Sequence, residues 1–200
     1  MTDYVDGYCE RVAPGLWGEP LNSLSNLAFL VAAVLVWRLA DGARTGRLLA
    51  GSIGLVFVAS SVFHLVATRW AAVGDSVAIL VFVLVYAALF PRVFFGWRYA
   101  WLAAPAFLVL TAGTALLGGG LYLAALIGLG TFAALLGFRR DADWTHFAVA
   151  GALFALSLSL RTVDRDVCDY VPVGTHFLWH LLNGLVLYLV SRAMIVRNRP

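Results

Sequence analysis

Apolar runs of about twenty residues alternate along this chain with short breaks marked by charge, glycine or proline. A helix crossing the hydrocarbon core of a bilayer needs about 20 mostly apolar residues, so each run reads as one crossing. The pattern predicts seven: Leu21 to Ala40, Leu48 to Thr68, Val73 to Phe90, Arg98 to Leu117, Leu121 to Phe138, Trp144 to Arg161, and Thr175 to Ile195. The fourth and fifth are separated only by "GGG" at 118 to 120, with no charge to mark a surface; a six-span reading differs at that boundary alone. The expected fold class is all-α: an integral membrane bundle of seven helices forming one domain over residues 1 to 200. Residues 1 to 20 are expected as an extracytoplasmic N-terminal segment. The loops are too short for a separate soluble domain, and no internal repeat is visible.

Composition changes the solvent rather than the element count. With 62% hydrophobic and 12% charged residues, a soluble domain could not bury the apolar surface, so lipid must cover it. All 14 basic residues are arginines, scattered between apolar runs without a basic stripe; nucleic-acid binding is not expected. The opening "MTDYVDGYCERVAPGLWGEP" has neither a positive n-region nor an apolar h-region, so no cleaved signal peptide is expected and the first span directs insertion.

Short cytoplasmic loops retain positive charge. With the N-terminus outside, one side receives Arg38, Arg44, Arg47, Arg92, Arg98, Arg139, Arg140, Arg192, Arg197 and Arg199, and the other keeps Arg11, Arg69, Arg161 and Arg165. This bias predicts an extracytoplasmic N-terminus and a cytoplasmic C-terminus in an inner or plasma membrane. Cys9 and Cys168 then share the oxidising side, where a disulfide persists. Two unrelated thiols are the alternative.

Four histidines carry the candidate chemistry: His64, His146, His176 and His180. In "THFLWHLLN", His176 and His180 are four apart, on one helix face, and can point two imidazoles at one ion; water or a neighbouring helix satisfies many such pairs. Topology supplies a third ligand. His64 lies four residues before the outer end of the second span, about 6 Å deep at 1.5 Å per residue, and the seventh span begins at that same surface. His146 starts the sixth span on the opposite side and reads as interfacial. Three imidazoles with an open fourth position match a catalytic zinc site, although iron, copper and nickel accept the same ligands. Ser60 precedes His64 by one turn, and Asp75 lies near the outer start of the third span. An ionisable group in a membrane helix usually marks function; a helix cap for Asp75 and a small-residue helix contact for Ser60 are the alternatives.

These residues resemble the alkaline ceramidase family and its wider superfamily of seven-span metal hydrolases, which includes the adiponectin-type receptors. The resemblance rests on "YCERVAPGLWGEPLNSLSN", on "SSVFH" with an aspartate eleven residues after the histidine, and on "RTVDRDVCDYVPVGTHFLWHLLN". Residues 90 to 160 match only as generic membrane helix. It implies that His64, His176 and His180 bind zinc, that Ser60 holds or polarises the carbonyl oxygen, and that Asp75 handles protons on the metal-bound water. Zinc would lower that water's pKa to around 7 and polarise an acyl carbonyl, while one carboxylate acts as base and then acid. The implied activity is hydrolysis of the amide bond of ceramide-like membrane lipids to a sphingoid base and a fatty acid. Hydrolysis of another acyl lipid, and a receptor-like protein with a structural metal, are the competing readings.

The family also carries a calcium site in the N-terminal segment. Asp6, Glu10 and Glu19 are the candidate ligands, although Gly7 stands where an aspartate is expected and Val12 replaces an oxygen-bearing side chain. Calcium takes six or more oxygens. Asn22, Ser25 and Asn26, at i, i+3 and i+4 in the first span, are expected to bond neighbouring helices or the segment's backbone.

Overall fold

Helices form wherever the apolar runs lie. In the computed structural model, which describes residues 1–199, they are α1 (Pro20–Ser25), α2 (Leu27–Ala40), α3 (Arg44–Val66), α4 (Arg69–Phe95), α5 (Ala103–Ala115), α6 (Gly120–Phe138), α7 (Trp144–Val163) and α8 (His176–Arg197). Among the described residues six helical stretches are long and apolar enough to cross a membrane: α1 with α2, α3, α4, α6, α7 with its terminal turn, and α8. The fourth expected crossing is shorter than its sequence suggests. A 3-10 turn at Ala100–Leu102 leads into α5, and the whole runs only Ala100–Ala115, about 24 Å of helix at 1.5 Å per residue. The triple glycine does break the chain, with Gly118 at φ 77° and Gly120 at φ 48°.

Two other spans outrun their expected ends. α4 extends from Arg69 through Pro91 to Phe95, and α3 starts at Arg44 rather than Leu48. Arginine has a long apolar stem that lets its charge reach water from inside a helix, so these charges mark the bundle's ends and not the helix ends.

Contacts define two ends of the bundle. At one end the N-terminal segment crosses the α3–α4 turn, with Val5 N–H donating to Ala67 C=O at 2.8 Å, and is tied to the α7–α8 loop by the Cys9–Cys168 disulfide. At the other end Arg197 pairs with Asp141 in the α6–α7 turn at 2.8 Å, and Arg199 donates to Leu39 C=O at 3.1 Å. Between them lies an aromatic core in which Phe90 stacks on Phe132 at 3.7 Å and Tyr86 donates to Val190 C=O at 2.9 Å. Large apolar side chains such as Val109 and Leu116 face outward, 74% and 90% exposed. Patches of that kind would be a liability in water; they are the expected surface of a protein solvated by lipid.

One close approach positions the site. A Cβ on Gly184 would lie 2.9 Å from Ala28 Cβ and 3.0 Å from the Ala28 backbone, so only glycine lets α8 press against α2 one turn below His180.

Candidate metal centre

Helical spacing does the first part of the assembly. Ser60 and His64 lie one turn apart near the C-terminal end of α3, and His176 and His180 occupy the first two turns of α8. All four are buried, each 1–2% exposed. The three rings converge, with centroids 4.7 Å apart for His64 and His180, 5.4 Å for His64 and His176, and 4.6 Å for His176 and His180. One ring nitrogen from each lies within 4.8 Å of the others, and among the described residues this is the one group of three ligating side chains that close.

Hydrogen bonds decide which nitrogens are free. Ser25 donates its hydroxyl to Asn22 C=O at 2.9 Å, so the 2.7 Å contact between Ser25 Oγ and His180 Nδ1 is one in which the ring donates. His64 Nδ1 likewise lies 3.0 Å from Glu19 Oε2. With a proton on Nδ1, these two rings leave their Nε2 lone pairs free to ligate. His64 Nε2 and His176 Nδ1 are buried without a hydrogen-bond partner. Leaving buried polar atoms unpaired costs about 1–3 kcal/mol each, and a cation bound at these atoms would satisfy them. The donor set therefore fits a divalent metal, with the carboxylate-to-histidine support typical of metal-binding imidazoles.

The N-terminal segment roofs this cluster, which the sequence did not announce. Tyr8 stacks on His176 at 3.8 Å and on His64 at 5.3 Å. Burial pushes its phenol pKa up, Arg161 and Arg11 pull it down, and Asp75 adds to the rise. Arg11 is buried over the rings of Tyr8 and Phe63. Its Nε donates to Glu19 Oε1 at 2.6 Å, its Nη1 to Val5 C=O at 2.8 Å, and its Nη2 pairs with the same carboxylate. Burial raises the Glu19 carboxyl, against the pull of Arg11 and Asn22.

A second carboxylate ties the roof to α8. Asp164 Oδ1 accepts from Thr175 N–H at 2.6 Å and His176 N–H at 2.9 Å, while Oδ2 accepts from Cys9 N–H at 3.0 Å. It satisfies free donors at the start of α8 and carries a charge that suits a helix N-terminus. Gly174, at φ 63°, passes so close that any Cβ would overlap Asp164 and Cys9.

Among the described residues, the three calcium candidates do not share one ligand group. Asp6 is exposed and lies 4.0 Å from Arg165, Glu10 accepts the Leu21 and Asn22 N–H groups at 2.8 Å each, and Glu19 is paired with Arg11. The three carboxylates serve three places, because Arg11 already supplies the positive charge that Glu19 needs. Asn22 supports Glu19 at 3.1 Å, and Asn26 bonds Asn22 C=O at 3.0 Å. Ser25 stands nearer the chemistry than its spacing foretold. His146 is exposed beside Asp143, at the start of α7 and away from the three-histidine group.

Asp75 is not a helix cap. α4 begins at Arg69 after Thr68, placing Asp75 in the second turn. It lies outside the histidine group, near the Ser60 hydroxyl but not hydrogen-bonded to it, and its Oδ1 is buried without a hydrogen-bond partner. Beside Phe29, whose ring lies 5.7 Å from that of His180, an apolar cavity opens, lined by Phe82, Tyr86, Phe132, Phe154, Trp179 and Val186 among others. It reaches along α8 from Trp179, adjacent to His180, to Val190, about 16.5 Å of helix. The site thus brings together a metal-ready donor set, the Ser60 hydroxyl one turn from His64, and a neighbouring apolar slot.

Compared with known families, curated proteins and solved structures, the chain finds no match.

Proposed function

We propose that this protein is a zinc-dependent membrane amidohydrolase that cleaves the amide bond of ceramide-like N-acyl lipids. The observation that carries the reading is the three-histidine group itself, one helical turn from Ser60 and next, through Phe29, to an apolar cavity. His64, His176 and His180 would hold the ion. When bound, it supplies Lewis-acid polarisation of an acyl carbonyl and makes water more acidic.

The chain's own residues do the rest. The cavity takes the acyl chain and brings the amide to the depth of the histidines. Ser60 donates a hydrogen bond to the carbonyl oxygen. Asp75 takes a proton from the attacking water and returns it to the departing amine nitrogen, so that addition of water yields one fatty acid and one free amine. Tyr8 and Phe63 cover the site and keep it dry, which strengthens each polar interaction within it.

We infer seven crossings with the N-terminus extracytoplasmic. α4 ends beside Arg197 and Arg139, α6 starts beside Arg161, and α5 is the one helix between them, so it carries the chain from one end of the bundle to the other. The disulfide and the arginine bias support placing the N-terminal end outside. This sets the site under the outer leaflet, open to a lipid entering sideways.

The test is hydrolysis of a fluorescent ceramide by purified protein, with metal content measured in parallel. Expected are about one zinc per chain, loss of hydrolysis with chelator, recovery on adding zinc, and loss of both metal and hydrolysis in His180→Ala. Stoichiometric zinc with no cleavage of any N-acyl lipid rejects the hydrolase in favour of a metal that braces α3 against α8.

A further inference from the structure

Four arginines lie at the roofed end of the bundle, and three of them have protein acceptors. Arg11 is bound to Glu19 and Val5, Arg69 lies 3.7 Å from Asp3, and Arg165 donates to Asp6 C=O at 2.7 Å. Arg161 is the exception. It stands near the C-terminal end of α7, half-buried, with its guanidinium 4.5 Å from the Tyr122 ring centre and 5.5 Å from that of Trp179. Among the described residues none accepts a hydrogen bond from it.

Its surroundings say what it faces. Tyr122 and Trp179 both line the apolar cavity, and Trp179 is the residue before His180. The Arg161 charge is felt at Tyr8 in the roof and at the Asp75 carboxylate, which accepts no hydrogen bond from it. The guanidinium therefore sits where the cavity meets the metal centre. Retention of positive charge on the cytoplasmic side does not account for it, because it lies at the arginine-poor end. Guanidinium presents five donors in a planar fork that matches carboxylate or phosphate through two parallel bonds. Stacking on aromatic faces holds the plane while leaving the donor edge free.

We propose that Arg161 binds an anionic group of the substrate, so that the site selects N-acyl lipids carrying a carboxylate or phosphate near the amide over neutral ones. Its consequence for catalysis rests on the hydrolase reading, but its consequence for binding does not.

Two measurements separate the two. In the first, full-length protein in detergent is titrated with hexadecanoate and with hexadecanol. Wild type should bind the acid more tightly, Arg161→Gln should lose roughly 10- to 100-fold for the acid with the alcohol unchanged, and Arg161→Lys should retain part of the difference. Unchanged acid binding in Arg161→Gln, or equal loss for both ligands, overturns the proposal. In the second, kcat/KM is compared for an N-acyl sphingoid base against its phosphate, and for an N-acylglycine against its primary amide. Preference for the charged member of either pair, abolished in Arg161→Gln, identifies phosphate or carboxylate as the source. Cleavage of neutral lipid with no Arg161 effect on binding sinks the anion proposal alone. An Arg161-dependent preference for the acid with no hydrolysis of any pair sinks the hydrolase alone.

Discussion

Glu19 bridges Arg11 and His64: one carboxylate oxygen accepts from Arg11 Nε at 2.6 Å, and the other lies 3.0 Å from His64 Nδ1. A residue of the N-terminal segment therefore orients a metal-ligand candidate on α3, with an arginine eight positions upstream in the chain holding the carboxylate in place. Exchange of Glu19 for Gln preserves the shape and removes the charge. The expected result is a metal affinity lower by about 10- to 100-fold, measured by competition with a chelating dye, while helix content is unchanged. Full affinity in Glu19→Gln would falsify the supporting role.

Arg11 has a second consequence. Its guanidinium occupies the carboxylate that a calcium ion would need, and Asp6 and Glu10 are engaged elsewhere. Calcium or a calcium-selective chelator should shift neither the melting temperature nor zinc affinity. Arg11→Ala leaves Glu19 buried without its partner, which costs about 3–5 kcal/mol, so thermal unfolding of that variant should occur at lower temperature.

Ser60 and Asp75 should separate chemistry from metal binding. Neither belongs to the histidine group, so Ser60→Ala and Asp75→Asn should retain zinc at wild-type stoichiometry. Hydrolysis by Asp75→Asn should fall by about 10²- to 10⁴-fold, the usual contribution of a positioned acid–base group. Elemental analysis and rate assays on one preparation decide it; undiminished turnover removes Asp75 from the mechanism.

The disulfide pins the roof across a sequence separation of 159 residues. Replacing Cys9 and Cys168 together by Ser should cost about 2–4 kcal/mol of stability and speed proteolysis of residues 1 to 18, while α3 and α8 stay packed. Limited digestion with and without reductant reads this directly. Equal protection of the segment in both forms would show that Arg11 and Asp164 suffice to hold it.

Much of the site could be read in advance because helices repeat simply. His176 and His180 share a face at four-residue spacing, and counting depth from each span's outer end was enough to bring His64 to them. Ser60 followed from the same turn, and the cysteine pair from the arginine bias. Tyr8, Arg11, Asp164 and Arg161 left no comparable mark. Nothing in the spacing of Asp164 or Arg11 tells that one caps α8 or that the other pairs with Glu19 under the roof.

The linear order of residues determined the helical spans, their apolar outer faces and the face each histidine shares with its neighbours, because lipid solvation and the 3.6-residue turn act locally along the chain. Tertiary structure alone decided what lies over the histidines, which ring nitrogens are free, and which arginine at the roofed end is left without a partner. Those depend on an irregular segment folding back on helices distant in sequence, where contacts follow from shape and charge matching in space and no repeat records them.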